Sequence, residues 1–247
     1  MATSPGIAPY QKTTMRDIDG VSTPTNPGRE SSGHFIPHAG AMTRAKERRV
    51  RYWDRQAPNY DKKMSLVERR LFADTRHWVC SRARGATLEV AIGTGANLAH
   101  YGADVELTGV DWSEAMLLAV RHQADRGQRP VALAHADAGA LPFAADSFDT
   151  VVSTFALCCV ADERAVLVEA LRVLRPGGRL LLADHVAASA WPLRAVQHAV
   201  EMVSIPLQGE HYTRRPSAVL RSLDVTIEED ERLSMGLIER VCATKHP

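Results

Sequence analysis

The chain has 247 residues, of which 45% are hydrophobic, and its 30 Lys and Arg against 29 Asp and Glu give a formal net charge of +1. A chain of this length can bury a core without disulfide bonds or structural metals, which excludes the small stapled scaffolds. A charge balance near zero provides no general basic field, so nucleic acid is not expected as a partner.

Cysteine usage and apolar runs predict the compartment. The 4 cysteines show no CxxC spacing and are too sparse for a secreted disulfide framework, so we expect a reducing cytoplasmic setting and no metal site. Segment 1–20 has no apolar signal core, and the longest apolar stretches, 151–161 and 180–188, are too short or too interrupted to span a bilayer. The sequence therefore predicts a protein without stable membrane insertion.

Residues 1–43 differ in composition from the rest of the chain. They are rich in Gly, Pro, Ser and Thr, and their few apolar residues follow neither a helical nor a strand period. Such a segment buries too little surface to offset the entropy of ordering. We therefore predict a disordered N-terminal arm over 1–43 and one folded domain over 44–247.

Helical patterns begin at Arg44. A charged helix is predicted through Trp53 with a pause near Pro58, and a second helical pattern runs from Leu66 to Trp78. Together they are expected to form an N-terminal helical lid over 44–84. The basic stretch 44–51 fits a solvated helix face, or a contact with anionic lipid or nucleic acid.

After Gly85, short β-rich runs alternate with helical segments. This repetition with short turns predicts a parallel sheet covered on both faces. The strands are expected at 87–92, 105–110, 131–135, 148–153 and 179–183, and the helices at 96–101, 113–126 and 162–174, the last with Asp162 as its N-cap.

The C-terminal part begins with a helix predicted from Trp191 to Ser204. A loop with His211 and Tyr212 and a short helix near Ala218 follow. Two final strands, at 224–233 and 237–244, are joined by a tight turn at 234–236, so they should pair antiparallel at one edge of the sheet.

A glycine turn follows the first predicted strand. Gly93 and Gly95 would let the backbone approach a ligand at the carboxyl edge of the sheet, although a turn can also need glycine only for its backbone angles. Asp111 ends the second strand, where a carboxylate can accept both hydroxyls of a ribose. A dinucleotide fingerprint would require Gly or Ala at the position of Leu98, which counts against an NAD-dependent oxidoreductase.

Further segments follow in order: HADAGALPF at 135–143, DSFDTVV at 146–152 and LRVLRPGGRL at 171–180. As a series over roughly 44–245, these segments resemble the class I S-adenosylmethionine-dependent methyltransferases, in particular the type 11 or UbiE-like group. The resemblance implies an α/β fold: a doubly wound, mostly parallel, seven-stranded Rossmann-like sheet of order 3-2-1-4-5-7-6, with the last strand antiparallel and helices on both faces.

The resemblance also implies a cofactor site for S-adenosylmethionine. Glu89, Gly93 and Gly95 would line the methionine portion, and Asp111 would take the ribose. The remaining implied contacts are Tyr60 from the lid, Ala91 where the family has glycine, Trp112 against the adenine, Met116, Asp137 with Ala138 at the adenine edge, and Thr154. As an alternative, Trp53 and Tyr60 are core aromatics of a covering helix.

A narrower resemblance concerns the acceptor. Segments 93–97, 156–160 and 184–188 look like those of the branch that contains thiol S-methyltransferases and phospholipid N-methyltransferases. The expected reaction is methyl transfer to a small-molecule thiol, phenol or amine. The alternatives are phospholipid N-methylation and, in another class, a non-catalytic S-adenosylmethionine-binding regulatory protein.

A thiol or phenol acceptor must lose a proton, and a base with a pKa near 7 suits this step. His185, just after the fifth strand, is the first candidate for base or substrate orienter, and His211 is the second; each also fits an ordinary polar residue. The expected substrate lid is 186–222. Its pocket wall is expected to include Phe155, Leu157, Cys158, Trp191 and Tyr212, although Cys158 and Cys159 also fit buried small hydrophobes.

Overall fold

The computed structural model describes residues 44–62, 74–127 and 129–247, all within one compact unit, Gly40–Pro247. The disordered arm predicted for 1–43 lies outside the described residues. So does 63–73, which contains most of the second predicted N-terminal helix.

Seven strands of the described chain form one sheet of order β3-β2-β1-β4-β5-β7-β6. The strands are β1 Gly85–Val90, β2 Val105–Asp111, β3 Ala132–His135, β4 Phe148–Thr154, β5 Leu174–His185, β6 Val225–Leu233 and β7 Ile238–Lys245. The first five strands pair in parallel, and β7 runs antiparallel to β5 and β6. The fold class and strand order implied by the family resemblance are therefore confirmed.

The described helices cover the sheet and its carboxyl edge. They are α1 Arg44–Gln56, α2 Thr75–Cys80, α3 Glu114–Asp125, α4 Glu163–Val173, α5 Trp191–Gln208 and α6 Pro216–Leu220, with single 3-10 turns at Ala57–Asn59, Leu98–His100 and Ser234–Gly236. The predicted N-cap at Asp162 is confirmed, because its carboxylate accepts a hydrogen bond from the Ala165 backbone N–H at 3.1 Å.

Two apolar clusters cover the two faces of the sheet. Neighbouring residues of one strand belong to different clusters: Val151 packs on the α4 side, and Val152 packs with Val79 and Leu107 on the other. This alternation follows from the period of two along a strand. It explains why consecutive residues of β1, β4 and β5 are buried, as a parallel sheet covered on both faces requires.

The helix predicted at 96–101 is wrong: the chain forms only a 3-10 turn over Leu98–His100. Side chains fix this segment to the strand ends below it. The Asn97 Nδ2 donates to Glu89 Oε1 at 2.7 Å, and the Tyr101 hydroxyl donates to Glu89 Oε2 at 2.8 Å. These hydrogen bonds fix the conformation of the segment, and its apolar residues do not form the face of an α-helix.

Candidate active site

A cavity of about 270 Å³ opens at the carboxyl ends of β1, β2 and β4. Open α/β sheets place their ligand sites at this edge. The cavity lining consists of a polar half, which includes Asp111 and Arg76, and an apolar half, which includes Phe155 and Val160. The two meet where the Arg76 guanidinium lies 5.2 Å from the Phe155 ring centroid. Of the cofactor residues implied by the resemblance, those that line the cavity are Tyr60, Ala91, Gly93, Asp111, Trp112, Met116, Asp137, Ala138 and Thr154.

The turn after β1 presents its backbone to the cavity. Gly93 has a φ of 59°, and a Cβ added there would meet no atom within 4 Å, so the backbone faces open space that a ligand can fill. Gly95 has a φ of 89° and does not line the cavity; a Cβ there would lie 3.0 Å from Leu98 Cδ1. Gly93 thus faces the ligand space, whereas Gly95 packs against the following turn.

The Asp111 carboxylate is held by two backbone donors. Its Oδ2 accepts from the Gly93 N–H and its Oδ1 from the Ser113 N–H, each at 2.9 Å. Burial raises the pKa of Asp111 to about 6, although these backbone hydrogen bonds favour the charged form. Each oxygen keeps acceptor capacity, so the carboxylate suits a pair of neighbouring hydroxyls such as those of a ribose.

The side of the cavity next to Trp112 is suited to a planar polar base. Asp137 Oδ1 accepts from the Gly139 N–H at 2.9 Å, and its Oδ2 lies 2.5 Å from Lys46 Nζ on α1. Burial raises the pKa of Asp137, but the Lys46 ammonium and the Gly139 N–H outweigh it, so the pKa is lowered. An ionised acceptor beside an aromatic ring can bind an exocyclic amine.

A polar network lies below the opposite end of the cavity. Arg76 Nη1 donates to Asn97 Oδ1 at 2.9 Å and to Thr154 Oγ1 at 3.2 Å. Glu89 lies behind it: its two oxygens accept from Asn97 and Tyr101, and it is absent from the cavity lining. Burial raises the pKa of Glu89 to about 7. Glu89 therefore positions the network, and Arg76 presents the cationic group to the cavity.

Helix α1 and the segment after it cover the cavity from one side. Trp53 and Tyr60 line it, with their ring centroids 6.0 Å apart. The Ser113 hydroxyl donates to Asp54 Oδ1 at 2.6 Å, which connects α1 to the start of α3. The Thr94 hydroxyl donates to Asp61 Oδ1, also at 2.6 Å, beside the glycine turn.

The apolar half of the cavity follows β4. Its lining includes Phe155, Ala156, Cys159, Val160 and Ala161. Phe155 has a φ of 53°, a backbone conformation that bulky residues rarely adopt and that clusters at functional sites. Asp184, at the end of β5, fixes the turn, because its Oδ2 accepts from the Ala156 N–H at 3.0 Å and the Leu157 N–H at 2.6 Å.

The remaining predicted substrate residues lie away from the cavity lining. Leu157 is 1% exposed and belongs to the α4-side core, and Cys158 is also buried. Trp191 is 73% exposed at the start of α5. Tyr212 donates a hydrogen bond to Glu210 Oε2. The turn after β4 directs Leu157 and Cys158 into the core, whereas the residues on either side of them, such as Phe155 and Cys159, line the cavity.

Neither predicted catalytic histidine lines the cavity. His185 lies one residue layer behind it, with its ring centroid 5.1 Å from that of Phe155 and 6.2 Å from that of Tyr212. Burial, with a smaller effect of Arg76, lowers the pKa of His185 to about 4, so its imidazole is neutral at pH 7. The His211 N–H donates to the Cys158 carbonyl at 2.8 Å, and burial lowers the pKa of its imidazole.

Sequence patterns missed two cationic residues of the cavity, Lys46 and Arg76. Lys46 is one of several cations of α1 and Arg76 lies on α2, and no motif distinguishes either residue as a cavity residue. Within the described ranges, no group of three or more His, Cys, Asp or Glu side chains is arranged to hold a metal ion. No helix in this part of the chain is long and apolar enough to cross a membrane.

Comparisons with known proteins agree with this geometry. Residues 88–182 match the family described as "Methyltransferase domain". The chain is 39% identical over 118 residues to a phosphatidylethanolamine N-methyltransferase of Cereibacter sphaeroides, which covers 47% of this chain and 58% of that enzyme. It is 33% identical over 175 residues to a demethylmenaquinone methyltransferase of Renibacterium salmoninarum, which covers 67% of this chain and 70% of that enzyme.

The chain belongs to the class I S-adenosylmethionine-dependent methyltransferases. Its fold is shared with a solved S-adenosylmethionine-dependent methyltransferase from Thermotoga maritima. The TM-score is 0.60 at 20% identity, over 79% of this chain and 99% of the other. The chain is thus an enzyme whose cofactor is S-adenosylmethionine.

Proposed function

We propose that the enzyme transfers a methyl group from S-adenosylmethionine to a small molecule with an apolar body, through a thiol, phenol or amine. The observation that carries this proposal is the division of the cavity into a polar and an apolar half. The polar half suits the cofactor, and the apolar half, which includes Phe155, Val160 and Val166, suits an uncharged acceptor.

In this proposal each polar group of the cavity has one task. Asp111 accepts the ribose hydroxyls, Trp112 lies against the adenine, and Asp137 accepts from its exocyclic amine. Arg76, beside Asn97 and Thr154, pairs with the methionine carboxylate, because it is the guanidinium that lines this end. When bound, the sulfonium cofactor supplies an already activated methyl group.

The chain then has to align the acceptor and exclude water. Trp53 and Tyr60 close one side of the cavity, and Phe155 forms the wall at the turn after β4. A base with a pKa of about 4 removes a proton from a thiol only weakly near pH 7, so we assign His185 the task of positioning Phe155. His211 and Tyr212 are proposed as parts of the segment that encloses the acceptor.

A lipid acceptor is the second candidate. The two relatives described above are enzymes named for phosphatidylethanolamine and demethylmenaquinone. Both names denote molecules with long apolar parts, which the apolar half of the cavity could admit at one end. A non-catalytic binding protein is the candidate of another class, and it predicts cofactor binding without turnover.

A paired acceptor panel tests the proposal. Each thiol, phenol or amine is offered once with an apolar body and once with a carboxylate on the same body, and S-adenosylhomocysteine is quantified. We expect turnover of the apolar member. Val160→Asp should lower kcat/KM for that acceptor about tenfold or more, because the new carboxylate is desolvated in the cavity. Val168→Asp, on the exposed face of α4, is the matched control.

Two results would contradict the proposal. Turnover confined to the carboxylate-bearing members would show that the cavity selects charge. Cofactor binding without S-adenosylhomocysteine from any acceptor, lipids included, would favour the non-catalytic alternative.

A further inference from the structure

Helix α5 presents its polar side chains to the protein. Gln197, Glu201, Ser204 and Gln208 follow the spacing i, i+4, i+7 and i+11, so they form one stripe, and Glu201 and Ser204 are buried. Surface helices of globular proteins normally turn an apolar stripe inward. The amphipathic pattern of α5 is therefore inverted.

Each member of the inward stripe makes a specific hydrogen bond. Gln197 Oε1 accepts from the Ala188 N–H at 2.8 Å, and Glu201 Oε1 accepts from the Thr213 N–H at 2.8 Å. The Ser204 hydroxyl donates to the Glu210 carbonyl at 2.9 Å, and Gln208 accepts from the Tyr52 hydroxyl of α1. These bonds fix the orientation of α5, because rotating the helix would leave buried polar groups without partners.

The outward face of α5 is apolar. Val196, Val200, Val203 and Leu207 have the same i, i+4, i+7 and i+11 spacing, and their exposed fractions are 60%, 45%, 59% and 70%. Trp191 and Met202 add two large exposed side chains to the helix. A contiguous face of several large exposed apolar side chains is typical of an interaction surface.

Helix α1 carries an exposed stripe that is positively charged. Its exposed arginines, Arg44, Arg48, Arg51 and Arg55, also follow the i, i+4, i+7 and i+11 spacing. Trp53, which lines the cavity, falls on the opposite side of the helical wheel. The two helices meet at the Tyr52 to Gln208 hydrogen bond, and the Arg49 side chain lies against Gly209.

We propose that the apolar face of α5 and the arginine face of α1 form a peripheral docking surface for an anionic lipid bilayer. The apolar stripe enters the headgroup region, and the arginines pair with lipid phosphates. A second copy of the chain could bury the apolar stripe equally well, but the arginine stripe beside it matches the negative charge of an anionic membrane surface. The proposal goes beyond methyl transfer, and it would bring the cavity that α1 covers to a membrane-resident acceptor.

Vesicle flotation tests the surface without requiring turnover. The full chain is mixed with vesicles of phosphatidylcholine alone, or with added phosphatidylglycerol, in the absence of cofactor and acceptor. We expect binding to the anionic vesicles that weakens as salt rises, because the electrostatic part is screened. A failure of this assay leaves the acceptor panel unaffected, so the two proposals fail independently.

Two variants separate the contributions. Val200→Ser with Val203→Ser should lower the anionic-vesicle partition coefficient about tenfold or more, because less apolar area is buried. Arg48→Gln with Arg55→Gln should lower it about tenfold and roughly halve its salt dependence, because two of the four arginines remain. Val168→Ser on α4 and Arg126→Gln after α3 are matched exposed controls and should bind as the wild type does.

The proposal is overturned if the wild type does not bind anionic vesicles, or if it binds neutral vesicles equally well. It is also overturned if light scattering shows a dimer that the Val200→Ser, Val203→Ser variant converts to a monomer, because the apolar face would then belong to a second copy. Thermal unfolding of each variant establishes that a loss of binding comes from a folded protein.

Discussion

Asp111 combines a fixed position with a perturbed pKa at the end of β2. Its two backbone hydrogen bonds orient the carboxylate, and burial raises its pKa to about 6. The sequence predicted this residue because the second parallel strand must end at the carboxyl edge, where an acidic residue has a recognisable role. The position of a functional side chain can thus follow from topology, whereas its pKa depends on the packing around it.

The raised pKa of Asp111 gives cofactor binding a pH dependence. The carboxyl group is ionised above about pH 6 and neutral below it, and only the ionised form accepts two hydroxyl hydrogens without a competing donor. We expect S-adenosylmethionine affinity, measured by calorimetry, to fall about tenfold at one pH unit below that pKa. Asp111→Asn should bind weakly at pH 7.5 and lose this pH dependence; a wild-type profile that is flat between pH 7.5 and 5 would contradict the assignment.

The proposed contact of Arg76 with the methionine carboxylate can be tested with ligands that have or lack this carboxylate. If its guanidinium pairs with the methionine carboxylate, Arg76→Gln should lower S-adenosylmethionine affinity about tenfold, the loss of one charge-assisted contact. Affinity for methylthioadenosine, which has no such carboxylate, should stay the same. Arg82→Gln, in the turn after α2, where the guanidinium lies 4.0 Å over the Trp78 ring, is the control for a nearby arginine outside the cavity lining. Equal losses for both ligands with Arg76→Gln would assign Arg76 a structural role.

Ala91 occupies a position where a glycine conformation is required. Its φ is 54°, a left-handed value that costs an L-residue about 1 kcal/mol or more. Ala91→Gly should therefore leave the free energy of unfolding unchanged or raise it, since relief of strain offsets the greater entropy of the unfolded glycine. Ala170→Gly, inside α4, should lower it by about 1 kcal/mol. Equal destabilisation by both, measured by urea unfolding, would contradict the strain at Ala91.

Helix α1 and the segment just after it act as a unit over the cavity because three side-chain contacts connect them to the residues around it. Asp54 accepts from Ser113, Asp61 accepts from Thr94 just beyond the helix, and Lys46 contacts Asp137. Short-range sequence patterns predicted the helix but not these contacts, which join residues distant along the chain. Lys46 could be recognised as a cavity residue only after α1 had been placed above β3.

The cross-links predict slow cofactor release. Asp54→Ala with Asp61→Ala removes two charge-assisted hydrogen bonds, so α1 should open more often and the S-adenosylmethionine dissociation rate should rise about tenfold. Glu47→Ala, which removes an exposed i,i+4 pair with Arg51, is the control on the same helix. Stopped-flow fluorescence of Trp53, in the cavity wall, reports the rate, and an unchanged rate would show that α1 is not the gate.

Elements with a strong period were predictable, and elements fixed by side chains were not. The strands around Val151 and Leu181 were predicted because burial on both faces selects runs of apolar residues, although β5 begins at Leu174, before the predicted start at 179. The segment at Leu98 was predicted as a helix because the apolar spacing gave no sign of the hydrogen bonds to Glu89. For α5, the period indicated a helix, but only the structure showed that its polar side faces inward.

For the whole molecule, the strand order followed from the family resemblance and is confirmed by the pairing of β7 between β5 and β6. The net charge of +1 does not show how the charges are distributed over the surface. Helix α1 carries four exposed arginines at regular spacing. The residues that line the proposed acceptor pocket were harder to predict. The turn after β4 determines that Phe155 faces the cavity and that Leu157 and Cys158 do not.

We propose that the cavity at the carboxyl edge binds S-adenosylmethionine through Asp111. Calorimetric titration of the full chain and of Asp111→Ala with S-adenosylmethionine, with NAD in parallel, tests it most directly. We predict saturable binding of S-adenosylmethionine, none of NAD, and a loss of about a hundredfold in the variant, because two hydrogen bonds to a charged acceptor disappear. Equal affinity of the two proteins for S-adenosylmethionine, or preferential binding of NAD, would contradict the claim.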